Sequence, residues 1–106
     1  MKLMTKELEK RFNNYPLYSQ EEKGFDAEVI VKYFNPCGLG TWLVTEGEKQ
    51  ENGDWLMFGY FNVFEWEWGY ITLSQLEGIR LPYGLTIERD LHINKKCVSD
   101  YTKEIL

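Results

Sequence analysis

Two cysteines, one histidine and three prolines are all that 106 residues contain of these types, and each scarcity excludes something. Cys37 and Cys97 lie far apart and outside any C-x-x-C spacing. That argues against a disulfide framework or a cysteine-built zinc site, and predicts two free thiols in a reducing compartment. His92 is the lone histidine, and no sequence feature sets it beside either thiol, so a Cys/His nucleophile is remote. No apolar run reaches the length needed to cross a bilayer, and the opening MKLMTKELEK is charged where a secretory signal is apolar. The expectation is a cytoplasmic protein that needs no metal and no cofactor. Gly38 and Gly40, which bracket Leu39, come nearest to a phosphate-binding loop. A strand rather than a helix amino terminus follows them, so they read as turn residues.

Basic residues are scarce in the middle of the chain. Residues 46 to 77 carry Glu46, Glu48, Glu51, Asp54, Glu65, Glu67 and Glu77 against Lys49 alone, while the flanking segments are nearly balanced; the formal net charge is −5. Such a field repels nucleic-acid phosphates and acidic membranes and attracts basic partners. Direct nucleic-acid binding and membrane binding are thereby disfavoured. The plainer account of the same carboxylates is a solvated sheet edge.

What is abundant is aromatic. Gly53 to Leu76, GDWLMFGYFNVFEWEWGYITLSQL, holds Trp55, Phe58, Tyr60, Phe61, Phe64, Trp66, Trp68 and Tyr70. Strand pairs seat such a composition best, and Phe64, Trp66, Trp68 and Tyr70 recur at period two. The stretch predicts a β-hairpin with arms Asp54 to Phe61 and Glu67 to Leu73 and a connection within Asn62 to Trp66. Trp66 and Trp68 could stack a base or sugar, but aromatic residues at strand spacing are more often core.

Elsewhere, Thr5 can cap a helix from Lys6 to Asn13 with Leu8 and Phe12 as its buried stripe. Tyr15 to Asp26 reads as a loop that lays Tyr15, Leu17, Tyr18 and Phe25 on the core. Glu28 to Asn35 and Thr41 to Glu46 read as strands around a turn, and Gly47 to Gly53 as a polar turn. Ser74 with Glu77 resembles a capping box stopped by Gly78. Leu85 to Ile93 reads as a last strand, and Ser99 can cap a short helix from Asp100 to Leu106. The sum is a single α+β domain, residues 1–106: an antiparallel sheet of about five strands built from hairpins, with short helices at the N-terminus, after the central hairpin and at the C-terminus.

Two side-chain groups are candidates for chemistry. Period two puts Glu88, Asp90 and His92 on one face of the last strand, where they could bind a metal or act as acid and base. Three neighbours on one strand, however, coordinate a cation poorly. On the opposite face, Arg89 among Ile87, Leu91 and Ile93 predicts an interior ion pair, with Glu67 as first partner and Glu46 as second. The acidic stretch gives a candidate binding set: Glu46, Glu48, Glu51, Asp54, Glu65 and Glu67 as charges, and Trp55, Phe64 and Trp66 as aromatic anchors.

Taken in order, MTKELEKRF, YPLY, VKYFNP, TWLVTE, FGYF, EWGYITLSQLE and IERDLHI resemble a small bacterial family of domains of unknown function, from Leu3 to Ile93. Glu67, Gly69 and Tyr70 match one motif and Glu88, Arg89 and Asp90 another, while the tail from Asn94 lies outside the resemblance. The resemblance implies genomic company on plasmids and other mobile elements, often near antirestriction genes, and no assigned chemistry. With the charge pattern it implies a non-catalytic counter-defence protein, an anti-CRISPR or antirestriction inhibitor whose partner is a host nuclease with a basic nucleic-acid-binding surface. Two other classes stand beside it: a metal- or carboxylate-dependent enzyme or small-ligand protein using Glu88, Asp90 and His92, and a conjugation accessory protein.

Overall fold

In the computed structural model, which describes residues 1–92 and 96–105 with side chains through Thr102, one antiparallel sheet of five strands carries three short α-helices. The fold is α+β, as the sequence predicts. The elements are α1 (Lys6–Asn13), β1 (Val31–Phe34), β2 (Thr41–Lys49), β3 (Trp55–Asn62), β4 (Trp66–Thr72), α2 (Leu73–Glu77), β5 (Glu88–Arg89) and α3 (Val98–Ile105). The strand order is β4-β3-β2-β1-β5. No helix among the described residues is long and apolar enough to cross a membrane.

The first helix follows the sequence signals. Thr5 Oγ1 accepts the Leu8 amide at 3.2 Å, and Leu8 and Phe12 are the buried stripe. Phe12 lies against Trp55, ring centroids 5.7 Å apart, on the sheet face that carries the main core. That face presents Val31, Tyr33, Trp42, Val44, Met57 and Phe61 from successive strands, and Leu76 of α2 and Ile87 close over it. Tyr33 is fully buried with its hydroxyl donating to the Leu3 carbonyl at 2.8 Å, and burial pushes its phenol well above the ordinary tyrosine range.

The opposite face is divided. Over β1 and β2, Leu43 is covered by Ala27, Val29, Val98 and Tyr101, a second small core. Over β3 and β4 the face carries the alternate aromatic residues Phe58, Tyr60, Trp66, Trp68 and Tyr70, paired as Phe58 with Tyr70 and Tyr60 with Trp68.

The register of β2 on β3 decides which side chains share that face. Val44 pairs with Gly59 and Glu46 with Phe58, so Thr45 is an extra residue, a β-bulge. Because side chains alternate along a strand, one inserted residue reverses the sides of everything beyond it. Glu46, which unbroken alternation would put with Val44 on the main-core face, instead stands beside Phe58. At the same place the strands approach closely: a Cβ on Gly59 would overlap the Leu43 carbonyl oxygen and sit 2.9 Å from Val44 Cα.

Several sequence expectations are corrected. The first strand spans Val31–Phe34 rather than Glu28 to Asn35, and α3 starts at Val98, so Ser99 lies inside the helix rather than capping it. The hairpin arms fall where predicted, with Val63, Phe64 and Glu65 as the turn, but GEKQENG is a turn only in its second half, since β2 continues to Lys49. Helix α2 begins two residues earlier than Ser74 implied: Thr72 is its N-cap and Gln75 completes the capping box. The last strand is two residues long, because a 3-10 turn at Pro82–Gly84 precedes it and the Asp90 carboxylate, accepting the His92 amide at 2.8 Å, bends the chain away after it; Ile93 lies outside the described residues. The Arg89 pairing with Glu67 is wrong. Their strands are opposite edges of the sheet, four interstrand spacings or about 19 Å apart. Glu46, the second partner, is directed to the other face. Arg89 is half-buried, and its Nε donates to the Lys2 carbonyl at 3.3 Å.

The close strand approach at Gly59 gives a direct test. Gly59→Ala is expected to destabilise the fold by about 3 kcal/mol, since the clashing atoms are backbone and cannot rotate away. A urea unfolding titration measures it; Gly53→Ala at a turn with open space around it tests the φ effect alone.

Candidate functional site

A buried carboxylate organises the aromatic face. Glu46 is 2% exposed, and its two oxygens accept the amides of Tyr18 at 2.7 Å and Gln20 at 2.9 Å. Tyr18 has φ of 73°, the left-handed region, which aims two nearby amides at one anion. Gln20, also buried, ties the same loop to the sheet: its Nε2 donates to the Thr45 and Glu28 carbonyls, and its Oε1 accepts the Glu28 amide. The loop from Tyr15 to Asp26 is therefore held down by polar bonds over the bulge.

What it brings to the face are Tyr18, Glu21 and Phe25. Phe25 sits edge-on to Tyr60, centroids 5.2 Å apart, and 5.8 Å from Trp68. Phe58 stacks on Trp68 within 10° of parallel, Tyr60 stacks on Trp66 within 14°, and Phe58 and Tyr70 are 4.9 Å apart. Offset pairs of this kind contribute about 1 kcal/mol each beyond simple burial. The cluster nevertheless meets solvent: Tyr70 and Phe25 are each 50% exposed and Trp68 37%. The phenol of Tyr70 is pushed above its ordinary range by its hydrogen bond with Tyr18, by burial, and by the negative charges of Glu46 and Glu21. This is an exposed aromatic face in a negative field.

The predicted binding residues are partly gathered and partly scattered. Trp66 belongs to the face, half-buried against Tyr60. Phe64 is almost wholly exposed at the β3–β4 turn. Trp55 is no anchor, being 6% exposed and packed on Phe12, because odd-numbered residues of β3 face the main core. Glu46 is no contact residue either, since it is spent on the loop amides. Asp54 is a structural brace: its carboxylate accepts Ser74 Oγ at 2.6 Å, the Ser74 amide at 3.1 Å and the Trp55 amide at 2.8 Å, bonds that hold it below the usual carboxylate range. Glu48 and Glu51 remain exposed at the β2–β3 end, and Glu65 and Glu67 toward the other. The eight residues of β3 separate those ends by roughly 25 Å. They form no single acidic patch.

Glu88, Asp90 and His92 line a separate depression of about 310 Å³ with Met1, Lys32, Phe34, Arg89 and Leu91. Asp90 is 3.8 Å from Lys32 Nζ and accepts the His92 amide. Among the described residues, no three His, Cys, Asp or Glu side chains group as metal ligands.

A family model described as protein of unknown function (DUF2958) matches residues 3–105. The chain belongs to this family. No curated protein and no solved structure matches it. The DUF2958 match runs past Ile93 through α3, whose Val98 and Tyr101 complete the second core, so the tail is part of the family domain rather than an appendage. Within it, the string TWLVTE carries both the bulge and Glu46, and EWGYITLSQLE carries the exposed edge of the aromatic face and α2.

The clamp and the brace are separately testable. Glu46→Gln replaces one acceptor oxygen with a donor that faces a backbone N–H, and is expected to cost about 2 kcal/mol in thermal or urea unfolding, against no more than about 0.5 for exposed Glu48→Gln. Asp54, with a depressed folded pKa, contributes stability that is fully present above the ordinary aspartate value of 3.8 and is lost as pH falls through the folded value. Melting curves in that acid window should therefore fall less steeply with pH for Asp54→Asn than for the native chain.

Proposed function

We propose that this chain is a non-catalytic interaction protein of a mobile element, a counter-defence inhibitor that occupies the basic nucleic-acid-holding surface of a host nuclease, either RNA-guided or a restriction enzyme. The observation that carries the reading is the solvent-exposed aromatic face of β3 and β4, set beside Glu21 and Glu46. Clustered Trp and Tyr side chains are what interface centres use, and carboxylates around them favour basic partners. The exposed Phe64 extends the surface at the β3–β4 turn. The genomic company implied by the family resemblance points the same way. The depression at Glu88, Asp90 and His92 supports an enzyme less well, because Asp90 is already engaged by Lys32 and the His92 amide.

Charges remote from the contact still matter for encounter. Glu48 and Glu51 act by steering, so they affect association more than dissociation.

Plasmid interference in cells carrying an RNA-guided nuclease or a restriction system, with and without this gene, tests the proposal. The expected outcome is restored plasmid survival with the native chain and loss of protection with Phe64→Ala at unchanged melting temperature; Tyr70→Ala should also lose protection, with a melt lowered by about the 1 kcal/mol of its pairing with Phe58. With purified target, the double reversal Glu48→Lys with Glu51→Lys should slow association several-fold at low salt and little at high salt. Unchanged interference across nuclease types, with the protein folded and expressed, rejects the counter-defence reading.

A further inference from the structure

Between the tethered loop and the sheet lies a cavity of about 180 Å³, lined by Gln20, Glu21, Gly24, Thr45, Phe58 and Trp68. It is smaller than the roughly 300–1,000 Å³ of small-molecule clefts, a size for one long side chain rather than a cofactor or nucleotide. The stacked residues Phe58 and Trp68 line it, and Glu21 lines it from the loop. Its polar floor is already satisfied: the Gln20 amide is bonded at both ends to backbone, and Thr45 Oγ1 donates to the Phe58 carbonyl at 3.3 Å. Among the described residues, no lysine or arginine lines it.

Resting on the interaction reading above, we propose that this cavity is a receptor for one arginine side chain presented by the protein partner. A planar guanidinium stacks on aromatic faces and pairs in the fork geometry of a carboxylate, whereas an ammonium does the second only as a point charge. The stacked Phe58 and Trp68 rings supply the first contact and Glu21 the second. Glu46, buried behind the Tyr18 and Gln20 amides, adds negative potential without touching the ligand. The field is the one the Tyr70 phenol senses from Glu21 and Glu46. An arginine drawn into the cavity from a nucleic-acid-binding surface leaves that surface one cation short. The partner's chemistry is thereby specified: an exposed arginine on a basic face, with room around it for Phe25 and Tyr70.

The probe is the tripeptide acetyl-Ala-Arg-Ala-amide, titrated into the full chain while amide and indole N–H signals are followed by NMR. The matched peptides carry citrulline or lysine instead of arginine. The expected result is a saturable shift confined to the Gly24 amide and the Trp68 indole, with the citrulline and lysine peptides at least about tenfold weaker. Glu21→Gln should weaken the arginine peptide roughly tenfold at unchanged melting temperature. Trp68→Leu should abolish the localised shift; Glu21→Gln, at an exposed position, keeps the test decisive if that variant folds poorly. Equal binding of citrulline or lysine overturns the assignment, as do shifts spread over Glu48 and Glu51. A native chain that protects cells but shows no localised arginine shift removes the arginine receptor alone. A chain that binds the peptide but never alters interference removes the counter-defence reading and leaves the receptor standing.

Discussion

The Glu46 carboxylate, bonded to the amides of Tyr18 and Gln20, is the interaction on which the outer face of this protein depends. A carboxylate that is 2% exposed tolerates burial because both oxygens accept backbone N–H groups, and those N–H groups in turn are spared an unsatisfied burial of their own. The bond is reciprocal in its consequences. It fixes the left-handed turn at Tyr18, lays Phe25 on Trp68 and Tyr60, and brings Glu21 to the rim of the cavity above Thr45. Removing it would release the loop and open the aromatic face at once.

The two faces of the sheet divide the labour. The main-core face, closed by α1, α2 and the segment through Ile87, carries the stability of the fold. The other face is only half covered, by Ala27, Val29, Val98 and Tyr101, and the remainder stays aromatic and partly wet. A partly exposed aromatic patch of this extent is unusual on a charged molecule. Here the rings brace one another through stacking, with Phe58 against Trp68 and Tyr60 against Trp66.

Charge is distributed by topology rather than by sequence order. Successive hairpin turns of a meander emerge at opposite ends of the sheet, so the acidic turn at Glu48 and Glu51 and the acidic end at Glu65 and Glu67 are separated by the whole length of β3. Their joint effect is a diffuse negative field suited to steering. The negative charge that is focused comes from Glu21 and Glu46, which are 25 residues apart in the chain and meet beside Tyr70.

Much of the fold was legible because it rests on local rules. Thr5 with Leu8 and Phe12 specifies α1, and the aromatic alternation specifies the central hairpin, since capping and side-chain periodicity act over a few residues. The pegs Tyr18 and Phe25 were visible as apolar residues in a polar loop, though nothing in the chain says which face they strike. The register was not legible. One extra residue at Thr45 reverses the side on which Glu46 emerges, and a bulge is stabilised by the fit of two strands rather than by the composition of one. The pairing of Arg89 with Glu67 failed for the same reason: both face one side, but strand order places them on opposite edges, and strand order is set by how the whole chain packs. The sequence by itself determined α1, the central hairpin and the sign of the surface charge, which depend on neighbours along the chain. Tertiary structure alone decided which aromatic residues stay exposed and which carboxylates stand beside them, because those depend on long-range register and on a loop anchored by backbone hydrogen bonds.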